Sequence, residues 1–406
     1  MNTKEIDKLI IKNEKLLKSQ FAYLNDISLC NQEKVLNAFK NNKVALRHFN
    51  GTTGYGSNDV GRDTLKKVYA DVFNVDSCLV SPFIVSGTHA ISLALFSVLR
   101  HGDKVLSVTG KPYDTLLKVI DGGEMSLKAD NITFDYIPLK GADFDYENIE
   151  KALNKNKYSM IYLQRSRGYD EREALSIKKI YSIVEFVRNM GFNGCIFCDN
   201  CYGEFVEKKE PTDVGVDLVA GSLIKNIGGG VSPTGGYVAG KKKYIDRAES
   251  RLTSPSIAGD VGSYAFGYQY FYEGLFLAPH VVNQALKGSM LIGAVMGELG
   301  YHTVPAPFAL PYDITRSVML GNEERLLRFI QSVQYVSPVD SFVEVAPWNM
   351  PGYEDKVVMA AGCFVDGASI ELSCDAPLRE PYNAFIQGGL TYEHVVIALK
   401  EILSRL

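Results

Sequence analysis

Apolar positions along this chain of 406 residues fall into short runs and spaced stripes that alternate with polar turns. Ile6, Leu9, Ile10, Leu16 and Leu17 stand among charges in the first 18 positions, and Val35, Leu36 and Phe39 carry a second stripe. Spacings of three and four predict amphipathic helices, so residues 1–60 read as a helical arm that ends in a loop. Glycines at 51, 54, 56 and 61 rule out a regular helix across that loop. Asp63 is placed to cap the next helix, which bears Leu65, Val68, Tyr69, Val72 and Phe73.

Strand and helix signals then take turns. Apolar runs at 78–85, 104–108, 134–137, 159–164, 194–199, 218–220 and 236–239 predict strands. Between them, Ser86, Gly87 and Thr88 open an apolar helix to Leu99. Pro112 opens another through Leu116, Leu117 and Ile120, and 177–190 is amphipathic. This alternation predicts an α/β fold: a mostly parallel sheet with helices on both faces, in a large domain over 61–270. The stretch 271–300 reads as a long helix leading into a smaller C-terminal α+β region, 271–406. There, strands are expected at 304–307, 342–345 and 369–372, an interruption at 375–382, and a closing helix at 392–406.

Composition narrows the classes. Hydrophobic residues make up 46% and charged residues 22%, as in an ordinary globular protein of two or three domains. A net charge of −4 gives no electrostatic case for nucleic acid. The tight basic cluster Lys241, Lys242, Lys243 follows a glycine and reads as a solvated turn. The most apolar stretch, 90–99, is far shorter than the roughly 20 residues a membrane span needs. With no signal peptide recognisable at the start, a cytoplasmic location is expected. Seven cysteines, an odd number, point to free thiols. Cys195, Cys198 and Cys201 share part of an iron–sulfur spacing, but the next cysteine is Cys363. A strand would also place Cys198 on the face opposite Cys195, so no metal is expected.

The candidate chemistry centres on Lys225, which lies between a small-residue turn and Gly228, Gly229 and Gly230. Asp199 ends an apolar run 26 positions upstream. A pyridoxal phosphate site makes four demands. The aldehyde needs an amine, supplied by Lys225. The pyridine nitrogen needs a carboxylate to hold its proton, supplied by Asp199. The phosphate needs N–H and hydroxyl donors, which Gly87 and Thr88 at a helix start and Ser222 beside the lysine offer. The ring needs an aromatic cover, and Tyr113 is placed for it. Tyr113, Gln164, Asp199 and Lys225 all follow predicted strands, and ligands on such sheets bind beyond the strands' carboxyl ends. Each residue also has a plain structural reading: Ser86 as a helix cap, Lys225 as a lysine before a glycine turn.

Taken together, the residues resemble the fold-type I pyridoxal phosphate enzymes, and among them the cystathionine and methionine lyases. The resemblance is most specific to the methionine γ-lyase-like proteins often labelled aluminium resistance proteins. It rests on Gly51–Thr52–Thr53–Gly54–Tyr55–Gly56, Gln164–Arg165–Ser166–Arg167–Gly168–Tyr169, the run from Asp199 to Phe205, and Ser222–Leu223–Ile224–Lys225–Asn226. It implies a seven-stranded type of sheet and pyridoxal 5'-phosphate as cofactor. It also implies a homodimer or homotetramer with active sites between subunits, where Tyr55 and Arg62 reach a neighbour's cofactor phosphate. The cofactor would be held by Ser86, Gly87, Thr88, Tyr113, Gln164, Asp199, Ser222, Lys225 and Arg62. Arg379, with Tyr55, would bind the substrate carboxylate. Lys225, Asp199 and Tyr55 would be catalytic.

There are departures from the cystathionine enzymes. Their tyrosine and arginine stand one residue apart, whereas Tyr55 and Arg62 are seven apart, and Ile227 replaces a proline before the triple glycine. The implied reaction removes an α-proton through Lys225, expels a thiol from a cysteine, cystathionine or methionine type of substrate, and ends in ammonia and a 2-oxo acid. Three alternatives stand beside it: transamination or aldol cleavage on the same cofactor, a silent cofactor-binding regulator, and serine acyl transfer through Ser222 and Lys225. The last lacks its partner motifs.

Overall fold

The computed structural model describes residues 1–350 and 355–406. Helix α1 (Thr3–Leu16) starts at a capping box in which Asn2 and Glu5 exchange hydrogen bonds. Helix α2 (Lys18–Asn41) is longer than its sequence stripe suggested. Buried Leu24, Ile27, Asn31 and Val35 continue the inner face, and polar Asn31 masks the pattern. It lies along α9 (Gln269–Glu298), the long linking helix. Helix α3 (Val60–Phe73) is capped by Asp59, not Asp63: Asp59 Oδ1 accepts the Arg62 N–H at 2.9 Å. The helix thus takes in Gly61, where a Cβ would stand 2.6 Å from the Tyr268 ring.

The large sheet has seven strands: β1 (Ser77–Ser81), β2 (Lys104–Ser107), β3 (Thr133–Tyr136), β4 (Met160–Gln164), β5 (Cys195–Asp199), β6 (Leu218–Ser222) and β7 (Gly236–Gly240). Their order is β1-β7-β6-β5-β4-β2-β3. Strand β7 is antiparallel to both of its neighbours, and every other pairing is parallel. Every strand but β7 therefore runs the same way, and their carboxyl ends share one edge. Helices α4 (Gly87–Val98), α5 (Asp114–Asp121), α6 (Tyr146–Lys155), α7 (Ile177–Asn189) and α8 (Lys242–Leu252) connect or follow these strands. One hydrophobic cluster holds Ile196 and Cys198, and the other holds Cys195 and Phe197. The central strand β5 is thus buried on both faces, as a continuous apolar run demands.

A separate small domain carries a five-stranded antiparallel sheet, ordered β10-β11-β12-β9-β8. Its strands are β8 (Thr303–Val304), β9 (Thr315–Met319), β10 (Val357–Ala360), β11 (Ser373–Pro377) and β12 (Asn383–Gln387). Helix α10 (Glu323–Tyr335) packs on it, and α11 (Tyr392–Arg405) lies against α10, α9 and α1.

Three expectations for this region need correction. The run at 304–307 yields only the two-residue β8. Residues 342–345 form no strand, because Val343 and Val345 satisfy their backbone on the Gln331 side chain. Residues 369–372 form turns, with the Glu371 carboxylate accepting the Phe364 and Val365 N–H groups, and the strand falls just after, at Ser373–Pro377. Among the described residues no helix is long and apolar enough to cross a membrane.

Candidate active site

The carboxyl ends of β4, β5 and β6 lie side by side. Gln164 pairs in register with Asp199, and Asp199 with Ala220, two residues before Ser222. The chain leaves β6 at Ser222 and turns, with the Lys225 N–H bonded to the Ser222 carbonyl at 3.3 Å. This places the lysine over the same edge. The start of α4 faces it across a glycine: a Cβ on Gly87 would stand 3.3 Å from Cys201 Sγ, 3.6 Å from Ser222 Cβ and 3.7 Å from Lys225 Nζ. A side chain at 87 would press on the Cys201 thiol and come into contact with the amine, whereas glycine leaves the helix N-terminus open to the site.

Tyr113, the N-cap of α5, is held at both ends. Its N–H donates to Gln164 Oε1 at 3.1 Å, and its hydroxyl lies 3.0 Å from Thr88 Oγ1. Gln164 thus acts here on Tyr113, and through Nε2 on the Ser166 carbonyl at 3.1 Å. Ser86 caps α4 by accepting the His89 N–H at 3.1 Å, and Ser222 Oγ accepts the Ile224 N–H at 3.3 Å.

Asp199 is buried. Its Oδ1 accepts the Cys201 N–H at 3.1 Å, and the Cys201 thiol also bonds to it. Burial raises its pKa, while Lys225 and the Cys201 bonds pull the other way. For Lys225, burial works against the proton, but Cys201, Tyr202, Tyr113 and Asp199 outweigh it and the amine's pKa is raised. Burial, then Asp199, lifts the Tyr113 phenol far above its usual range, so it stays a neutral hydrogen-bonding group.

The fold therefore brings together Gly87, Thr88, Tyr113, Gln164, Asp199, Ser222 and Lys225 around one strand edge. Two neighbours stood in the Asp199–Phe205 motif without being given a site role. Cys201 contacts Asp199, and the Tyr202 ring lies beneath Lys225, with Nζ 4.2 Å from its centroid. Their signal was that motif and their place directly after Asp199 at the end of an apolar run.

The remaining candidates lie apart from these contacts. Arg62 is buried at the start of α3, bonded to Asp63 and to the carbonyls of Gly56, Gly262 and Asp260. Tyr55, in the loop that Arg62 braces, is 79% exposed. Arg379 sits in the turn between β11 and β12, exposed and ion-paired with Asp355 at 2.8 Å. All seven cysteines are unpaired, and among the described residues no group of three or more His, Cys, Asp or Glu side chains is placed to hold a metal.

Comparison with known proteins covers the whole molecule. The model of the family described as methionine gamma-lyase matches residues 6–406. An uncharacterized protein of Bacillus subtilis is 48% identical over 381 residues, 93% of this chain and 90% of its own. The crystal structure of a carbon–sulfur lyase involved in aluminum resistance from Clostridium novyi superposes with a TM-score of 0.95 at 46% identity, over 99% of this chain and 96% of that one. A pyridoxal-5'-phosphate dependent protein of Escherichia coli shares the fold alone, with a TM-score of 0.64 at 15% identity over 94% of this chain and 97% of its own.

Proposed function

Since the chain belongs to the methionine gamma-lyase family, we propose that it is a pyridoxal phosphate-dependent carbon–sulfur lyase, releasing a thiol from a small sulfur amino acid and leaving ammonia and a 2-oxo acid. The observation that carries this reading is the approach of Gly87 to Lys225 Nζ beside a buried Asp199.

The residues fit the cofactor. A glycine at the mouth of α4 clears space beside the amine, and the first-turn N–H groups of that helix lack intrahelical acceptors. A buried carboxylate lies on the same edge, and a neutral phenol is held between Thr88 and Gln164. When bound, pyridoxal phosphate supplies an aldehyde for the amine and an electron sink for the substrate's α-carbon. In this reading the Lys225 amine holds the cofactor and then takes the α-proton onto Nζ. Asp199 keeps the proton on the pyridine nitrogen, its charge steadied by two bonds from Cys201. Thr88, Gly87 and Ser222 would donate to its phosphate, and Tyr113, its N–H held by Gln164, would cover its ring.

The same reading gives Arg379 the substrate carboxylate, for which a guanidinium fork is suited. It also makes the protein a homodimer or homotetramer in which Tyr55 enters a neighbour's site. Arg62 then serves by bracing the loop that presents Tyr55, since most of its donors are engaged within its own chain.

The visible spectrum of the purified protein tests the proposal, before and after addition of L-cysteine, L-cystathionine or L-methionine, with 2-oxo acid assayed alongside. A yellow protein whose band shifts with one of these and which yields oxo acid is the expected result. A protein that stays colourless when given pyridoxal phosphate refutes it.

A further inference from the structure

A second buried carboxyl lies beside the lysine turn, and nothing in the proposed reaction uses it. Glu204 follows Asp199 by five positions and is fully buried. Its Oε1 accepts the Tyr237 hydroxyl at 2.9 Å, and its Oε2 is buried without a hydrogen-bond partner. The nearby guanidinium of Arg165, packed over Gly203, spends its donors on Asn200, Glu207 and the Leu175 carbonyl, with Glu210 at 3.5 Å.

This carboxyl is wedged against the strand that leads into the lysine turn. A Cβ on Gly221, in β6, would stand 2.6 Å from Glu204 Oε1 and 2.8 Å from the Tyr237 hydroxyl. The Asn226 amide, directly after Lys225, donates to the Glu204 carbonyl at 3.1 Å. Tyr237 is itself fixed, its ring stacked on Phe73 at a centroid distance of 4.8 Å. Glu204 therefore holds the lysine segment twice, by its side chain under Gly221 and by its backbone at Asn226.

A carboxylate buried with one hydroxyl and its own N–H for partners is costly, whereas a neutral carboxyl of the same shape costs far less. We propose that Glu204 is a positioning residue that works as a neutral acid: protonated, it seats Gly221 and the Lys225–Asn226 turn, and ionised, it unseats them. The inference rests on the role proposed for Lys225.

The titratable groups facing it are Tyr237 from β7, Tyr69 from α3, Cys198 from β5, Cys201 and Glu210 from its own segment, Arg165 after β4 and Lys225 after β6. Burial is the main influence and raises the pKa of Glu204 to about 8; Glu210 adds to the rise, while its own N–H, Tyr237 and Lys225 oppose it. In the unfolded chain a glutamate ionises near about 4.3. Between that value and about 8 the folded protein retains a proton that the unfolded chain has lost. Stability therefore falls as pH rises through that window, and levels off above it. Glu204→Gln keeps the shape, cannot ionise, and removes the loss.

The test is thermal unfolding of wild-type and Glu204→Gln holoprotein from pH 5 to pH 9, with the pH profile of kcat/KM measured beside it. The variant's gain in Tm is expected to be smallest at pH 5 and to grow until about pH 8, and the wild-type alkaline limb near that pH should be missing from the variant. A Tm gap that ignores pH, or an alkaline limb shared by both proteins, overturns the inference. Should the glutamine variant fail to fold, Tyr237→Phe provides the second measurement. Removing the phenol's hydrogen bond disfavours ionisation, so the pH at which wild-type stability levels off is expected to move up, and an unmoved midpoint overturns the proposal. A protein that takes up no pyridoxal phosphate sinks the lyase reading instead, and leaves the thermal curves to decide the role of Glu204.

Discussion

Around Lys225, the contributing side chains come from the ends of neighbouring parallel strands and from the helix starts beside them, whereas Tyr55 and Arg379 stand on exposed turns outside the sheet. The first set is held by register. Gln164 lies opposite Asp199, and the β6 turn drops Lys225 beside Gly87. The second set has nothing of the kind. Tyr55 is 79% exposed, and the Arg379 guanidinium is spent on a surface carboxylate. Under the proposed function, the groups assigned to the cofactor are pre-arranged by the chain itself, whereas those assigned to the substrate or a second copy stand at the surface.

Variants on each side of this divide should differ in size and in kind. Lys225→Ala is expected to lose about 10³-fold or more in turnover, together with the visible absorbance of the bound cofactor. Steady-state 2-oxo acid release measures this, and normal turnover would remove Lys225 from the reaction. Asp199→Ala should keep part of the cofactor and lose about 10²–10³-fold in kcat, because the pyridine nitrogen loses the carboxylate that favours its protonated form.

On the exposed side, Tyr55→Ala is expected to cost about 10-fold in kcat/KM, a moderate loss for a group acting across an interface. Mixing inactive Lys225→Ala subunits with Tyr55→Ala subunits should then restore roughly a quarter of wild-type activity. A dimer of the two kinds keeps one intact site of two, and forms about half the time. No recovery on mixing would place Tyr55 in its own subunit's site. Arg379→Ala should have the smallest effect, a rise in KM of about 3–10-fold with kcat nearly unchanged, since an exposed pair such as Arg379–Asp355 contributes little to folding. Unchanged KM would return Arg379 to the surface.

Legibility follows the same divide. The inner strands of the large sheet stand in the sequence as apolar runs, because a strand covered on both faces has little room for polar residues. The small domain is harder to read. Residues 342–345 look like a strand, yet the Gln331 side chain, which comes from α10, takes their backbone groups. That helix carries its own signals, an Asn322 cap and buried Leu326, Phe329, Ile330 and Val333. Asp63 and Asp59 are both reasonable caps for α3 on paper. In the structure Asp59 takes the cap, accepting the Arg62 N–H, so that Gly61 lies inside the helix beside the Tyr268 ring.

The sequence by itself determined the alternation of strands and helices, the strands that Gln164 and Asp199 end and that Tyr113 and Lys225 follow, and the family these motifs resemble. These are local properties, set by spacing and residue type. Only the tertiary structure decided that β7 runs antiparallel, that Gly87 clears the space beside Lys225 Nζ, and that Arg62 braces a loop within its own chain. It also decided that Glu204 lies under Gly221. Each of these depends on residues far apart in the chain meeting at close range, and spacing along a sequence carries no record of such meetings.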